Sequence, residues 1–169
     1  LPFSGRIALS DGIGPVELAL EGVTCRVERG GAFLLGRENQ VTLLLRNGTR
    51  NFFESGEGFA GISLGDGTSL CVDRGDPPNG GVPDGALTAS GRGGGAGIGR
   101  DSEGGRDRTS RMLIRGGVIT AQGAGGGSGI GAGKGGVMGP VTLLGGTVDA
   151  SGEKGGAGIG GGLGAPVGD

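Results

Sequence analysis

The chain has no histidine, no tryptophan and no tyrosine, and its five phenylalanines all fall before residue 60. Without histidine there is no Ser-His-Asp or Cys-His nucleophile and no His-ligated metal, and no cofactor is expected. Two cysteines are too few for a disulfide framework. Proline is scarce at 7 residues and there is no Gly-X-Y period, which excludes collagen. No apolar run approaches the roughly 20 residues that span a bilayer, so no membrane insertion is expected. Net charge is −2 with both signs interspersed, which argues against a nucleic-acid partner. The chain opens on Leu1, not Met, as a processed or excised piece would.

Glycine is what the sequence has in excess, at 48 of 169 residues. Glycine-rich chains often cannot bury enough apolar surface to fold. Here, however, dense aliphatic clusters at Val41–Leu45, Met112–Ile114 and Val141–Leu144 recur in phase with the glycines. A disordered linker has no need of that phasing, so an ordered repeat is the better reading.

The repeat is a fifteen-residue phrase written three times, at residues 85–99, 117–131 and 146–160. Eight of its fifteen positions are identical in all copies, and a ninth is always aliphatic (Leu87, Ile119, Val148). The copies begin 32 and 29 residues apart, a spacing that signals stacked repeat units. Fainter echoes extend the pattern upstream, giving five coils that open near Val16, Val41, Ser69, Arg111 and Val141. The fold expected is all-β: a parallel β-solenoid of about five coils with glycine-rich corners, one domain over residues 1–169. Residues 1–40 read as a degenerate N-terminal coil or cap, and residues 41–84 as aliphatic coils with an inserted loop at 74–84. Residues 85–169 read as the regular glycine-rich coils. A sandwich of polyproline-II helices is a competing geometry for the glycine limbs, but the β-type strands between them favour the solenoid.

Stacked coils pile equivalent side chains into ladders, one rung per ~4.8 Å. Ile98, Ile130 and Ile159, extended by Ile62, are predicted to form one ladder down the core, and Ala89, Ala121 and Ala150 a second. Alternation in Val118–Ala121 and Thr147–Ala150 points Ile119, Ala121, Val148 and Ala150 inward and leaves Thr120 and Asp149 in water. Cys25 and Cys71 fall in different strand columns and are expected to be buried free thiols.

Short motifs are weaker than the repeat. G-x-G-x-x-G recurs, yet no helix follows to aim its N-terminus at a phosphate. The segments beginning at Gly94, Gly126 and Gly155 match the first five positions of the calcium nonapeptide G-G-x-G-x-D, but put glycine where the aspartate ligand belongs. A single cation site using Asp101, Glu103 or Asp107 stays open. Arg74-Gly75-Asp76 spells the integrin tripeptide and forms a candidate exposed interaction loop, although a polar turn between coils explains it as simply. Asn47-Gly48-Thr49 is a formal glycosylation sequon, and Asn-Gly is also a turn dipeptide standing where Gly145-Gly146 stands in the last coil. Scattered carboxylates give no catalytic ladder, and Asp149 interrupts the Thr88–Thr120 column that an ice-binding face would need.

The phrase G-x-[LIV]-T-A-x-G-x-x-G-G-A-G-I-G, preceded by V-T-L-L-G-G, resembles the glycine-rich repeats of large secreted surface proteins of Gram-positive, often gut-dwelling bacteria. These are commonly labelled carbohydrate-binding-domain or β-strand-repeat proteins. The resemblance implies an extracellular or cell-surface location and a non-catalytic structural or adhesive role, with glycan binding as the alternative. It assigns no binding residue. The final Ala165-Pro166-Val167 reads like the opening of another coil, by comparison with Gly139-Pro140-Val141. End-to-end self-association into a filament, or continuation in a longer parent chain, is therefore expected.

Overall fold

The structure is a computed structural model that describes residues 5–78, 80–104 and 109–165. It contains sixteen short strands among the described residues and winds them as a β-solenoid, three strands to a coil. In chain order they are β1 (Ile7–Ala8), β2 (Pro15–Leu20) and β3 (Thr24–Arg26), then β4 (Phe33–Leu34), β5 (Gln40–Leu45) and β6 (Arg50–Glu57). Next come β7 (Ile62–Ser63), β8 (Ser69–Arg74) and β9 (Ala86–Arg92), followed by β10 (Ile98–Gly99), β11 (Arg111–Ile114) and β12 (Val118–Gly123). The last are β13 (Ile130–Gly131), β14 (Val141–Leu143), β15 (Thr147–Gly152) and β16 (Ile159–Gly160).

Every pairing is parallel and joins equivalent strands of successive coils. Three sheets result. One has six two-residue strands in the order β1-β4-β7-β10-β13-β16; the others have five each, β2-β5-β8-β11-β14 and β3-β6-β9-β12-β15. The strands β2, β5, β8, β11 and β14 begin at or within one residue of the five predicted coil openings. Among the described residues the glycine limbs carry no strand of their own apart from the two residues at Ile-Gly, and the strands stack as a solenoid in three parallel sheets. No helix among the described residues is long and apolar enough to cross a membrane.

Both predicted ladders are present in register. Ile62, Ile98, Ile130 and Ile159 follow one another, and Phe33 and Ile7 extend the column toward the N-terminus. Ala89, Ala121 and Ala150 align likewise, with Phe53 and Cys25 below them. The core therefore narrows along the chain. The first coils fill it with Phe33 and Phe53, whose rings lie 5.0 Å apart, while later coils use Ile and Ala. Burying an aliphatic side chain of this size contributes about 1.5–3 kcal/mol, and Leu43, Ile62, Leu87, Ile98, Ile119 and Ile130 are among those fully buried.

Coil-to-coil contact at the corners explains the glycine column Gly95, Gly127 and Gly156. A Cβ on Gly127 would collide with the carbonyl oxygen of Gly95, and one on Gly156 with that of Gly127. Only a residue without a side chain lets the backbones come this close. Between those corners a second column is polar. Asn39, Thr68 and Ser110, each fully buried, stand one residue before β5, at the residue preceding β8, and before β11. Asn39 Nδ2 donates to the Leu35 carbonyl at 2.7 Å, Thr68 Oγ1 to Gly36 at 2.7 Å and Ser110 Oγ to Gly65 at 3.0 Å. These side chains bond to carbonyls of the bend, two of which also accept a backbone N–H, Gly36 from Gly65 and Gly65 from Thr68.

Cys25 is buried on β3, as expected, but Cys71 on β8 is only partly buried. It lies in register with Thr42 and Leu113 on the outward-facing side of its strand, because inward positions on β8 are taken by Leu70 and Val72. Burial pushes both thiols above their ordinary range.

Candidate binding face

Repetition places outward-facing side chains in files as surely as it places the core. On the β3-β6-β9-β12-β15 sheet, one outward file runs Thr24, Phe52, Thr88, Thr120, Asp149. The next runs Arg26, Glu54, Ser90, Gln122, Ser151. Asp149 does interrupt the threonines, in agreement with the sequence.

A groove of about 440 Å³ opens on this sheet, lined by Thr49, Arg50, Phe52, Asp84, Thr88 and Val118. The loop between β8 and β9 makes its far wall. That loop is fastened at several points: Gly48 N donates to the Pro83 carbonyl at 2.8 Å, and Arg74 pairs with Asp84 at 3.1 Å. The half-buried Phe52 supplies an apolar floor, beside Asp84 as acceptor and Arg50 as donor. Sequence reasoning stressed the lack of Trp and Tyr and missed this phenylalanine. Its signal was the doublet Phe52-Phe53, in which strand alternation sends one ring inward and the other out.

Arg74, Gly75 and Asp76 lie at the start of the same loop and are half-buried. The Asp76 carboxylate accepts Arg46 Nη1 at 2.8 Å and the Asn47 backbone N–H at 2.9 Å. The Asn47 N–H, followed by Arg46, holds this carboxyl below its ordinary range. Arg46 also donates to the Gly75 carbonyl, so the tripeptide is a corner bolted to the coil before it. Asn47 and Gly48 form the neighbouring turn, with Asn47 Nδ2 donating to the Pro77 carbonyl at 3.0 Å.

A second polar group occupies the core side of the first sheet. Arg100 follows Gly99 as Ala132 follows Gly131 and Leu64 follows Ser63, so a guanidinium enters an otherwise apolar column and is 4% exposed. It donates to the carbonyls of Leu64 and Gly104 and to Ser110 Oγ, and pairs with Asp66. Next to it, Asp101 accepts the Ala60 N–H at 2.8 Å and the Ser63 hydroxyl at 2.9 Å. Burial nonetheless pushes the Asp101 carboxyl above its ordinary range. Internal partners thus engage Asp66, Arg100 and Asp101. Among the described residues no three of His, Cys, Asp and Glu are grouped to hold a metal ion; Asp107 lies outside them.

Of the seven ladder residues Ile62, Ile98, Ile130, Ala89 and Ala121 are buried in the core and Ala150 packs against it, whereas Ile159, expected in the core, is exposed because no further coil covers it among the described residues. The Arg74–Asp76 loop borders the groove without lining it. Compared with known proteins, the chain matches no family model, no curated sequence and no solved structure.

Proposed function

We propose that this chain is a non-catalytic structural or adhesive rod module of an extracellular bacterial surface protein, one that stacks coil on coil with another solenoid of its kind. The observation that carries the stacking is the free face of the last described coil. Leu143 and Ile159 continue columns whose previous members, Ile114 and Ile130, are fully buried, yet they are 46% and 44% exposed. Leu163, which lies against Gly126 and Gly155, is 45% exposed. Solenoids cover such faces with a cap or with a further coil, and a coil of the same period matches these columns rung for rung. The extracellular setting rests on the resemblance of the repeat to those of secreted surface proteins.

Light scattering across a concentration series, together with negative-stain images, tests the stacking. Concentration-dependent rods that shorten to single particles in the double variant Leu143→Glu/Ile159→Glu are the expected result. A parent chain that stays monodisperse at all concentrations sinks self-stacking.

Glycan binding is a second reading, favoured by the groove floored by Phe52. Its aromatic face and flanking Arg50, Asp84 and Thr88 combine an apolar platform with polar groups, as a sugar ring requires. Retention on a panel of immobilised polysaccharides, lost in Phe52→Ala, is the corresponding test.

A further inference from the structure

Winding brings four arginines, from the first and third coils, to one cleft. Arg6 precedes β1, Arg26 lies on β3, Arg29 follows it, and Arg92 ends β9. Together with Glu28 and Glu54 they line a cleft of about 700 Å³ beside the binding face. Four guanidiniums against two carboxylates leave a local charge of about +2, in a chain whose net charge is −2.

The charges are not all mutually satisfied. Glu54 is shared between Arg26, at 3.6 Å, and Arg92. Among the described residues Arg6 reaches only the backbone carbonyl of Arg29, at 3.4 Å, and the Arg29 guanidinium meets no acceptor. Arg6 and Arg29 are both exposed at the cleft. A guanidinium is a planar fork of donors that matches a carboxylate or sulfate with two parallel hydrogen bonds.

We propose that this cleft binds an acidic saccharide, a sugar unit bearing a carboxylate or sulfate, with Arg6 and Arg29 gripping the anionic group. The inference rests on the glycan reading above and names its chemistry. Glu28 and Glu54 set the choice between anionic polymers. A nucleic acid presents closely spaced phosphates and calls for an uninterrupted basic track; carboxylates between the arginines repel it. The same carboxylates accept hydrogen bonds from sugar hydroxyls. Phe52 stands two residues before Glu54 on β6, on the same side of the strand, and so continues the surface with an apolar ring.

The test passes the chain and its variant Arg6→Ala/Arg29→Ala over immobilised heparin, polygalacturonate, dextran and a single-stranded oligonucleotide at low salt. Both replaced side chains are exposed, so an unchanged melting temperature is required of the variant before it is compared. The parent chain is expected to be retained on heparin, on polygalacturonate or on both, which separates sulfate from carboxylate recognition. The double variant is expected to bind about tenfold more weakly, or worse, through loss of charge-assisted hydrogen bonds. Retention unchanged in the variant, or equal retention on the oligonucleotide, overturns the proposal. Retention on dextran alone overturns it while leaving the glycan reading intact, and no retention on any polysaccharide ends both.

Discussion

The carboxylate of Asp101 accepts the backbone N–H of Ala60 at 2.8 Å, joining residues 41 apart in sequence. Its other oxygen takes the Ser63 hydroxyl, so one side chain ties the excursion after β10 to the coil before it. Removing it in Asp101→Ala leaves two partly buried donors without their acceptor and is expected to cost about 1–3 kcal/mol.

The same residue gives the fold a pH signature. Burial outweighs the two hydrogen bonds and nearby Arg100, and raises the Asp101 carboxyl above its ordinary range. Ionisation is then easier in the unfolded chain than in the folded one. The stability this group contributes is fully present below the ordinary aspartate range and is lost as pH rises through the raised value. Asp101→Asn, neutral throughout, is expected to flatten that part of the stability curve. Urea unfolding between about pH 3 and 7 measures it; an Asn variant as pH-sensitive there as the parent refutes the assignment.

Ile98 and Ile159 occupy the same column with opposite exposure, 0% and 44%. Truncating the buried member in Ile98→Ala removes packing on every side and is expected to cost about 2–5 kcal/mol. Ile159→Ala, measured in dilute solution, is expected to cost about 1–2 kcal/mol because part of its surface is already in water. Equal shifts in the unfolding midpoint would mean that the two rungs are packed alike.

The Ile and Ala ladders were legible because identical residues recur at a nearly constant spacing, and a repeat fixes register wherever its period is kept. Their N-terminal continuations were not. Phe33 and Phe53 take the places of Ile and Ala, so the columns change residue type as the core widens. Arg100 was illegible for a similar reason. One arginine in a column of Leu64 and Ala132 reads as surface charge until the fold folds it inward among carbonyls. The binding face and the arginine cleft use positions that vary from coil to coil, and sequence periodicity carries no information about those. Cys71 was expected to be a buried free thiol because it falls in a different strand column from Cys25, but column membership does not decide which way a residue faces, and Cys71 shares the outward side of its sheet with Leu113 and Leu44.

Gly127 and Gly80 separate a glycine that geometry demands from one it tolerates. A Cβ on Gly127 would meet the Gly95 carbonyl oxygen at an impossible distance, whereas one on Gly80 meets nothing within 4 Å. Gly127→Ala must push two coils apart and is expected to lose about 1–3 kcal/mol or more. Gly80→Ala is expected to stay within about 0.5 kcal/mol of the parent. Thermal melts of the two variants side by side decide it, and similar melting temperatures would show that the coils are not stacked this tightly.

Asp76 holds a corner, and its chemistry follows from that. Both of its oxygens are engaged, by Arg46 and by the Asn47 N–H, and the carboxyl is held below its ordinary range, chiefly by that N–H. A lowered value reverses the sign found for Asp101. The contribution of Asp76 is present above the ordinary aspartate range and is lost as pH falls through the lowered one. Asp76→Ala is therefore expected to lower the melting temperature at neutral pH and to lessen the further loss on acidification, with Asp76→Asn in between. A carboxylate already committed to two donors is poorly placed to ligate the cation of a cell-surface receptor, so cell adhesion to the immobilised chain is expected to be the same for parent and Asp76→Ala. Adhesion abolished by Asp76→Ala at an unchanged melting temperature would reverse the assignment and make the Arg74–Asp76 corner a recognition loop.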